Sequence, residues 1–244
     1  MIQEYYRPKS IQEAISLKQK YTKSMFIGGG TSVNTIDKDF VFIDLQALPK
    51  VFTRHKDSLI VGSTITLDKI YQDFRDFNSF TTAIQMEAGK NLRNQITLGG
   101  LVKMADGRSP FLTCLLAMET SVLLEPEKQS YLLSEFLDAR GKNKGLIVQL
   151  DIKIPGEFKF ESVARSPLDK PIVCCAIAKY KSKLGIGIGG FGKRPLNPGP
   201  EVVNDNSSLE KYLKKHVNKD EWASVEYRID VAKILVNRLL SQLR

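Results

Sequence analysis

Apolar residues recur along this chain with two alternating periods, and each change of period marks a new element. Ile11, Ala14, Ile15 and Leu17 fall on one helical face behind Ser10-Ile11-Gln12-Glu13. That tetrapeptide is a capping box, in which a hydroxyl and a carboxylate satisfy free amides of the first turn, so a helix is predicted over about 11–20. Ser24-Met25-Phe26-Ile27 reads as a short strand that breaks at Gly28-Gly29-Gly30-Thr31-Ser32, and Phe40 to Leu45 reads as a second. Next come a strand from Leu59 to Ser63 and helices near 67–77, 82–88 and 110–118. Strands near 121–124 and 147–154 lead to Pro155-Gly156, where a domain boundary is placed.

The remainder predicts strands over 172–181 and 184–189 and a proline- and glycine-rich loop over 192–200. A helix is expected from a second capping box at Ser207-Ser208-Leu209-Glu210. The closing helix, about 224–243, carries Val231, Leu235, Leu239 and Leu243 on one face. There is no solenoid repeat and no low-complexity tract.

Bulk composition narrows the function classes. At 244 residues and 42% hydrophobic the chain can bury one large or two moderate cores. No run of about 18 apolar residues could span a bilayer, and the start lacks the pattern of a signal peptide, so the cytoplasm is the expected compartment. Cys114, Cys174 and Cys175 are too few for an iron–sulfur cluster held by this chain alone. Cys174 and Cys175 lie in an apolar run, as small hydrophobes do. His55 and His216 have no companion at metal-ligand spacing, so no metal site is expected. The net charge of +9 is compatible with nucleic acid, but the basic residues are scattered, and an anionic cofactor or acidic partner accounts for them equally.

The glycine clusters are the candidate chemistry. A strand ending in three glycines leaves amides unshielded, so Gly28 to Asn34 could cradle an anion, with Thr31 and Ser32 adding hydroxyls. A tight turn needing positive φ is the alternative. A second cluster, Gln95-Ile96-Thr97-Leu98-Gly99-Gly100, could grip the same diphosphate from another side. Gly185-Ile186-Gly187-Ile188-Gly189-Gly190 has the lettering of a dinucleotide fingerprint, but no helix can follow it, so it reads as strand and turn. Glu87, Asp106 and Asp169 read as solvated carboxylates. No nucleophile or acid–base set stands out, which points to a bound cofactor as the carrier of any chemistry.

Three segments, Tyr5-Tyr6-Arg7-Pro8-Lys9-Ser10-Ile11-Gln12-Glu13-Ala14, Ile27-Gly28-Gly29-Gly30-Thr31-Ser32-Val33 and Asn94-Gln95-Ile96-Thr97-Leu98-Gly99-Gly100, together resemble the FAD-binding medium subunits of the xanthine dehydrogenase and carbon monoxide dehydrogenase family of molybdenum hydroxylases. Val225-Glu226-Tyr227-Arg228, leading into Val231-Ala232-Lys233-Ile234-Leu235-Val236, is similar to that family's closing helix. The resemblance implies an α+β fold, with a two-part FAD-binding domain of the vanillyl-alcohol-oxidase (PCMH-type) superfamily over 1–155, its subdomains about 1–53 and 54–155. A small α+β C-terminal domain of the CO dehydrogenase flavoprotein type over 156–244 would follow.

By the same resemblance the cofactor is FAD. Ile27, Gly28, Gly29, Gly30, Thr31, Ser32, Val33 and Asn34 wrap its pyrophosphate, and Thr97, Leu98, Gly99 and Gly100 also contact it, with Ser109 and Leu146 or Ile147 as further counterparts. The implied role is that of an oxidoreductase subunit. Electrons reach its flavin from a molybdenum-cofactor large subunit through an iron–sulfur small subunit and leave for a soluble acceptor such as NAD. No nucleic-acid or membrane partner is implied. The chain departs from the family at Leu101, where asparagine is usual, at Pro110, where aspartate is expected, and at Ile172 in place of a lysine. A flavin-free scaffold in the same kind of complex is the alternative those departures support.

Overall fold

The computed structural model describes residues 4–33, 40–142, 145–167, 169–218 and 220–243. In chain order the first elements are β1 (Glu4–Tyr6), α1 (Ile11–Lys20), β2 (Ser24–Ile27), β3 (Val41–Asp44), β4 (Phe52–Arg54), β5 (Ser58–Gly62), α2 (Leu67–Asp73), α3 (Asn78–Glu87), α4 (Lys90–Arg93), α5 (Leu98–Met104) and α6 (Pro110–Ala117). They are followed by β6 (Ser121–Glu125), β7 (Gln129–Leu132), α7 (Leu133–Ala139), β8 (Leu146–Lys153), β9 (Glu157–Val163), β10 (Val173–Lys179), β11 (Leu184–Gly189), α8 (Pro200–Val203), α9 (Asn206–His216) and α10 (Val225–Ser241). The chain forms two compact units, one from 1–72, 90–104 and 121–152, the other from 73–89, 105–120 and 153–244. No helix among the described residues is long and apolar enough to cross a membrane.

In the first unit β1, β3 and β2 make a parallel sheet with β3, buried throughout, in the middle. Parallel pairing needs a crossover, and α1 supplies the one from β1 to β2. The Ser10 side chain caps α1 by accepting the Glu13 amide, as expected, while the Glu13 carboxylate takes the amide of Lys9. Ala14 of α1 packs with Ile43, Leu45, Leu48 and Leu146. A five-stranded sheet of order β4-β5-β8-β6-β7 completes the unit. The short strand β1 and the edge strands β4 and β7 fall outside the sequence expectation, being too brief or too polar to show a period.

The second unit is an antiparallel sheet of order β11-β10-β9 with α6 on one face and α10 on the other. Being covered on both faces, β10 has no polar alternation, which explains the run Val173 to Ala178. The side chain of Cys174 lies 3.5 Å from the Thr113 hydroxyl of α6, whereas Cys175 belongs to the cluster beneath α10. Burial pushes the Cys174 thiol up to about 12, in keeping with its reading as a small hydrophobe.

The glycines of β11 are there for close approach. A Cβ on Gly187 would lie 3.1 Å from the Thr113 methyl, and one on Gly189 would lie 2.7 Å from the Thr113 hydroxyl. This bare strand face lets α6 settle against the sheet, and every residue of α6 is buried. The segment is therefore strand and turn, as expected, with Gly190 at φ 105°. The second capping box does not form. Asp205 caps α9 instead, its carboxylate accepting the amides of Ser207 and Ser208, so the helix begins at Asn206. Asp205 offers two acceptor oxygens where Ser207 offers one hydroxyl.

Candidate functional site

Within the first unit the structure brings the two glycine clusters together. Ile27 ends β2 opposite Asp44 of β3, and the chain leaves the sheet through Gly28, Gly29 and Gly30. A Cβ on Gly28 would lie 3.2 Å from Thr97 Cβ, and one on Gly29 would lie 2.5 Å from the carbonyl carbon of Gln95. Gly28 thus packs against the Thr97 side chain and Gly29 against the Gln95 main chain, and glycine is required at both because nothing larger leaves room. Gly30 takes φ 72°, a conformation that costs an L side chain about 1–2 kcal/mol. Open space lies where its Cβ would point. The turn closes with the Val33 amide donating to the Gly30 carbonyl at 3.2 Å.

The opposing turn is held just as tightly. Thr97 is buried and bridges to Thr66, and its hydroxyl accepts the Gly100 amide at 3.4 Å. Leu98 and Gly99 donate to the carbonyls of Ile65 and Ser63, each at 2.8 Å. A Cβ on Gly99 would sit 2.7 Å from that of Ser63, while Gly100 is exposed.

Among the described residues no protein acceptor takes the amide protons of Gly29, Gly30, Thr31 or Ser32. This run of four amides, with the Thr31 and Ser32 hydroxyls beside it, is the kind of donor set that an anion such as a diphosphate needs. Asn34 lies outside the described residues. Sequence reasoning placed Gln95 in the second cluster without its main-chain contact to Gly29, and missed Ser63 and Gln46, whose side chain donates to the Gly28 carbonyl at 3.0 Å. Gln95 and Ser63 act through main-chain groups, which no residue type betrays.

The other site residues expected from sequence are placed differently. Leu146 is a core residue at the start of β8, packed with Leu45 and Ala14, and Ile147 beside it is also buried. Ser109 belongs to the second unit and is fully buried at the N-cap of α6. Its hydroxyl accepts the Leu112 amide at 3.1 Å and donates to the Glu87 carboxylate at 2.5 Å. Of the three departures, Leu101 is buried on α5, Pro110 opens α6 where its missing amide proton costs nothing, and Ile172 joins the apolar cluster of the second unit.

Glu87 corrects the sequence reading, because its side chain is only 5% exposed rather than solvated. It also accepts the Phe111 amide at 3.2 Å and lies 3.9 Å from Lys170. Burial pushes this carboxyl above its ordinary value, while Lys170, the Ser109 hydroxyl and the Phe111 amide pull it back. Asp106 remains exposed, 3.4 Å from Lys170.

A family model described as the FAD binding domain in molybdopterin dehydrogenase matches residues 1–156. The chain is 28% identical to the Escherichia coli K12 protein YgfM, covering 97% of this chain and 94% of that one. Carbon monoxide dehydrogenase from Hydrogenophaga pseudoflava shares the fold at a TM-score of 0.81 and 16% identity, over 99% of this chain and 96% of that one. Quinoline 2-oxidoreductase from Pseudomonas putida 86 shares it at a TM-score of 0.79 and 18% identity, over 98% and 95%.

Proposed function

Because the chain belongs to the family of FAD-binding domains of molybdopterin dehydrogenases, with FAD as its cofactor, we propose that it relays electrons within a multi-subunit molybdenum hydroxylase. The partners in this reading are a large molybdenum-cofactor subunit and a small iron–sulfur subunit, and the final acceptor is a soluble molecule such as NAD. FAD supplies chemistry that no side chain offers, accepting electrons singly and releasing them in pairs. The same reading takes 1–155 as the FAD-binding domain and 156–244 as the C-terminal domain of the CO dehydrogenase flavoprotein type.

The observation that carries the proposal is the contact between the two glycine turns, beside which the amides of Gly29 to Ser32 meet no acceptor among the described residues. In this assignment Ile27 to Ser32 and Val33 hold the FAD diphosphate, and Thr97 to Gly100 brace that loop and contact the cofactor. The residues of this chain bind and orient; none is required as a nucleophile or as an acid or base. The buried thiols of Cys114, Cys174 and Cys175, all raised by burial, are consistent with that division of labour.

Purification of the tagged chain from its native host tests the assembly. Molybdenum and iron should co-purify in constant ratio to flavin, and NADH should bleach the flavin absorbance of the complex. A flavin-loaded chain that repeatedly isolates free of both metals would remove the partner assignment. Metal-containing complex that NADH leaves unbleached would remove NAD as the acceptor.

A further inference from the structure

A polar relay runs behind the glycine loop of the first unit. The Tyr5 hydroxyl donates to one oxygen of the Asp44 carboxylate at 2.6 Å, and Arg7 Nε lies 3.3 Å from that same oxygen. The other oxygen accepts the Gln46 amide at 2.9 Å. Asp44, buried at the end of β3, thereby caps the 3-10 turn Leu45–Ala47. Leu45 and Leu48 are anchored in the core on either side of Gln46. From this fixed base the Gln46 side chain reaches out, and its amide nitrogen donates to the carbonyl of Gly28 at 3.0 Å.

We infer that Gln46 is a positioning residue for the FAD diphosphate, acting by fixing the orientation of the Gly28–Gly29 peptide; this rests on the reading of Gly28 to Ser32 as the diphosphate loop. In a trans peptide the carbonyl and the following amide point in opposite directions. Holding the Gly28 oxygen on Gln46 therefore aims the Gly29 amide proton away from Gln46. A peptide between two glycines has little preference of its own and would otherwise rotate at low cost. Gln46 converts a loop with several orientations into one with a donor already aimed, and the gain is affinity for a diphosphate rather than fold stability. Asp44 is one step further back, fixing the turn that carries Gln46.

The test compares ligands that have and lack the diphosphate, using the full chain stripped of flavin. FAD, ADP and riboflavin are titrated against the wild type, Gln46→Leu, Gln46→Glu and Gly29→Ala, with melting temperature recorded for each. Gln46→Leu should weaken FAD and ADP by about three- to tenfold, the worth of one hydrogen bond. Its riboflavin affinity and melting temperature should match the wild type. Gln46→Glu, which turns the donor into an acceptor and adds negative charge, should lose more. Unchanged FAD and ADP affinities in both Gln46 variants, or an equal loss for riboflavin, would overturn the inference. If Gly29→Ala nonetheless loses FAD in that case, the loop stands as the diphosphate site without Gln46. If Gly29→Ala also binds as the wild type does, the loop assignment falls as well.

Discussion

The backbone of Gly29 passes so close to Gln95 that a Cβ at position 29 would lie 2.5 Å from the Gln95 carbonyl carbon. Neither partner is a flexible side chain, so the clash cannot be relieved by a rotamer change. Gly29→Ala must push the two turns apart and displace the amides of Gly29 to Ser32. We predict at least a tenfold weaker FAD affinity, a loss of about 1.4 kcal/mol or more, by fluorescence titration.

Gly30→Ala separates strain from clash. Nothing lies within 4 Å of a Cβ there, but φ is 72°. Stability should fall by about 1–2 kcal/mol in denaturant titration, the cost of a left-handed alanine. A variant as stable as the wild type would mean the turn can relax to negative φ.

Glu87 gives a pH dependence of known sign. Its folded-state value is raised, chiefly by burial, so its contribution to stability is complete below the ordinary carboxylate value and is lost as pH rises through the folded value. Glu87→Gln removes the titration. The melting temperature of the variant relative to the wild type should climb as pH rises from the ordinary carboxylate value into the neutral range. A difference that stays flat over that range would contradict the assignment.

Glu210 behaves in the opposite way. Hydrogen bonds from Lys214 of α9 and Lys233 of α10 hold its carboxyl down to about 2. That contribution is present above the ordinary carboxylate value and is lost as pH falls toward 2. In Glu210→Gln the acid arm of the stability profile should flatten, because the variant already lacks at neutral pH the modest contribution that the wild type loses on acidification. An acid arm as steep as that of the wild type would show that the two bridges add nothing measurable.

Arg228 is fully buried, donates to the carbonyls of Gly190 and Ile172, and pairs with Asp220. Arg228→Met should cost about 2–4 kcal/mol, because these carbonyls, that of Ala223 and a partly buried carboxylate lose their donor. Equilibrium unfolding of the full chain measures it.

How far the sequence could be read depended on where each constraint sits. The helix over 11–20 and the strand at Ser24 to Ile27 were legible because side-chain chemistry and period define them. The refusal to read Gly185 to Gly190 as a dinucleotide site held because the following prolines forbid the required helix. What escaped were features set by the backbone or by distant partners. Gln95 presents a carbonyl, and Asp205 displaced the expected cap at Ser207 by offering two oxygens. Glu87 was read as solvated because its burial comes from residues more than twenty positions away, Ser109 and Phe111. Of the candidate site, the paired turns were visible as glycine clusters, but their contact was visible only in the fold.

The account rests on FAD bound by this chain, and the visible absorption spectrum of the purified protein, followed by release and identification of its cofactor on denaturation, tests it most directly. The account predicts the two flavin bands and FAD in equimolar amount with the chain. A colourless protein that takes up no added FAD would contradict it.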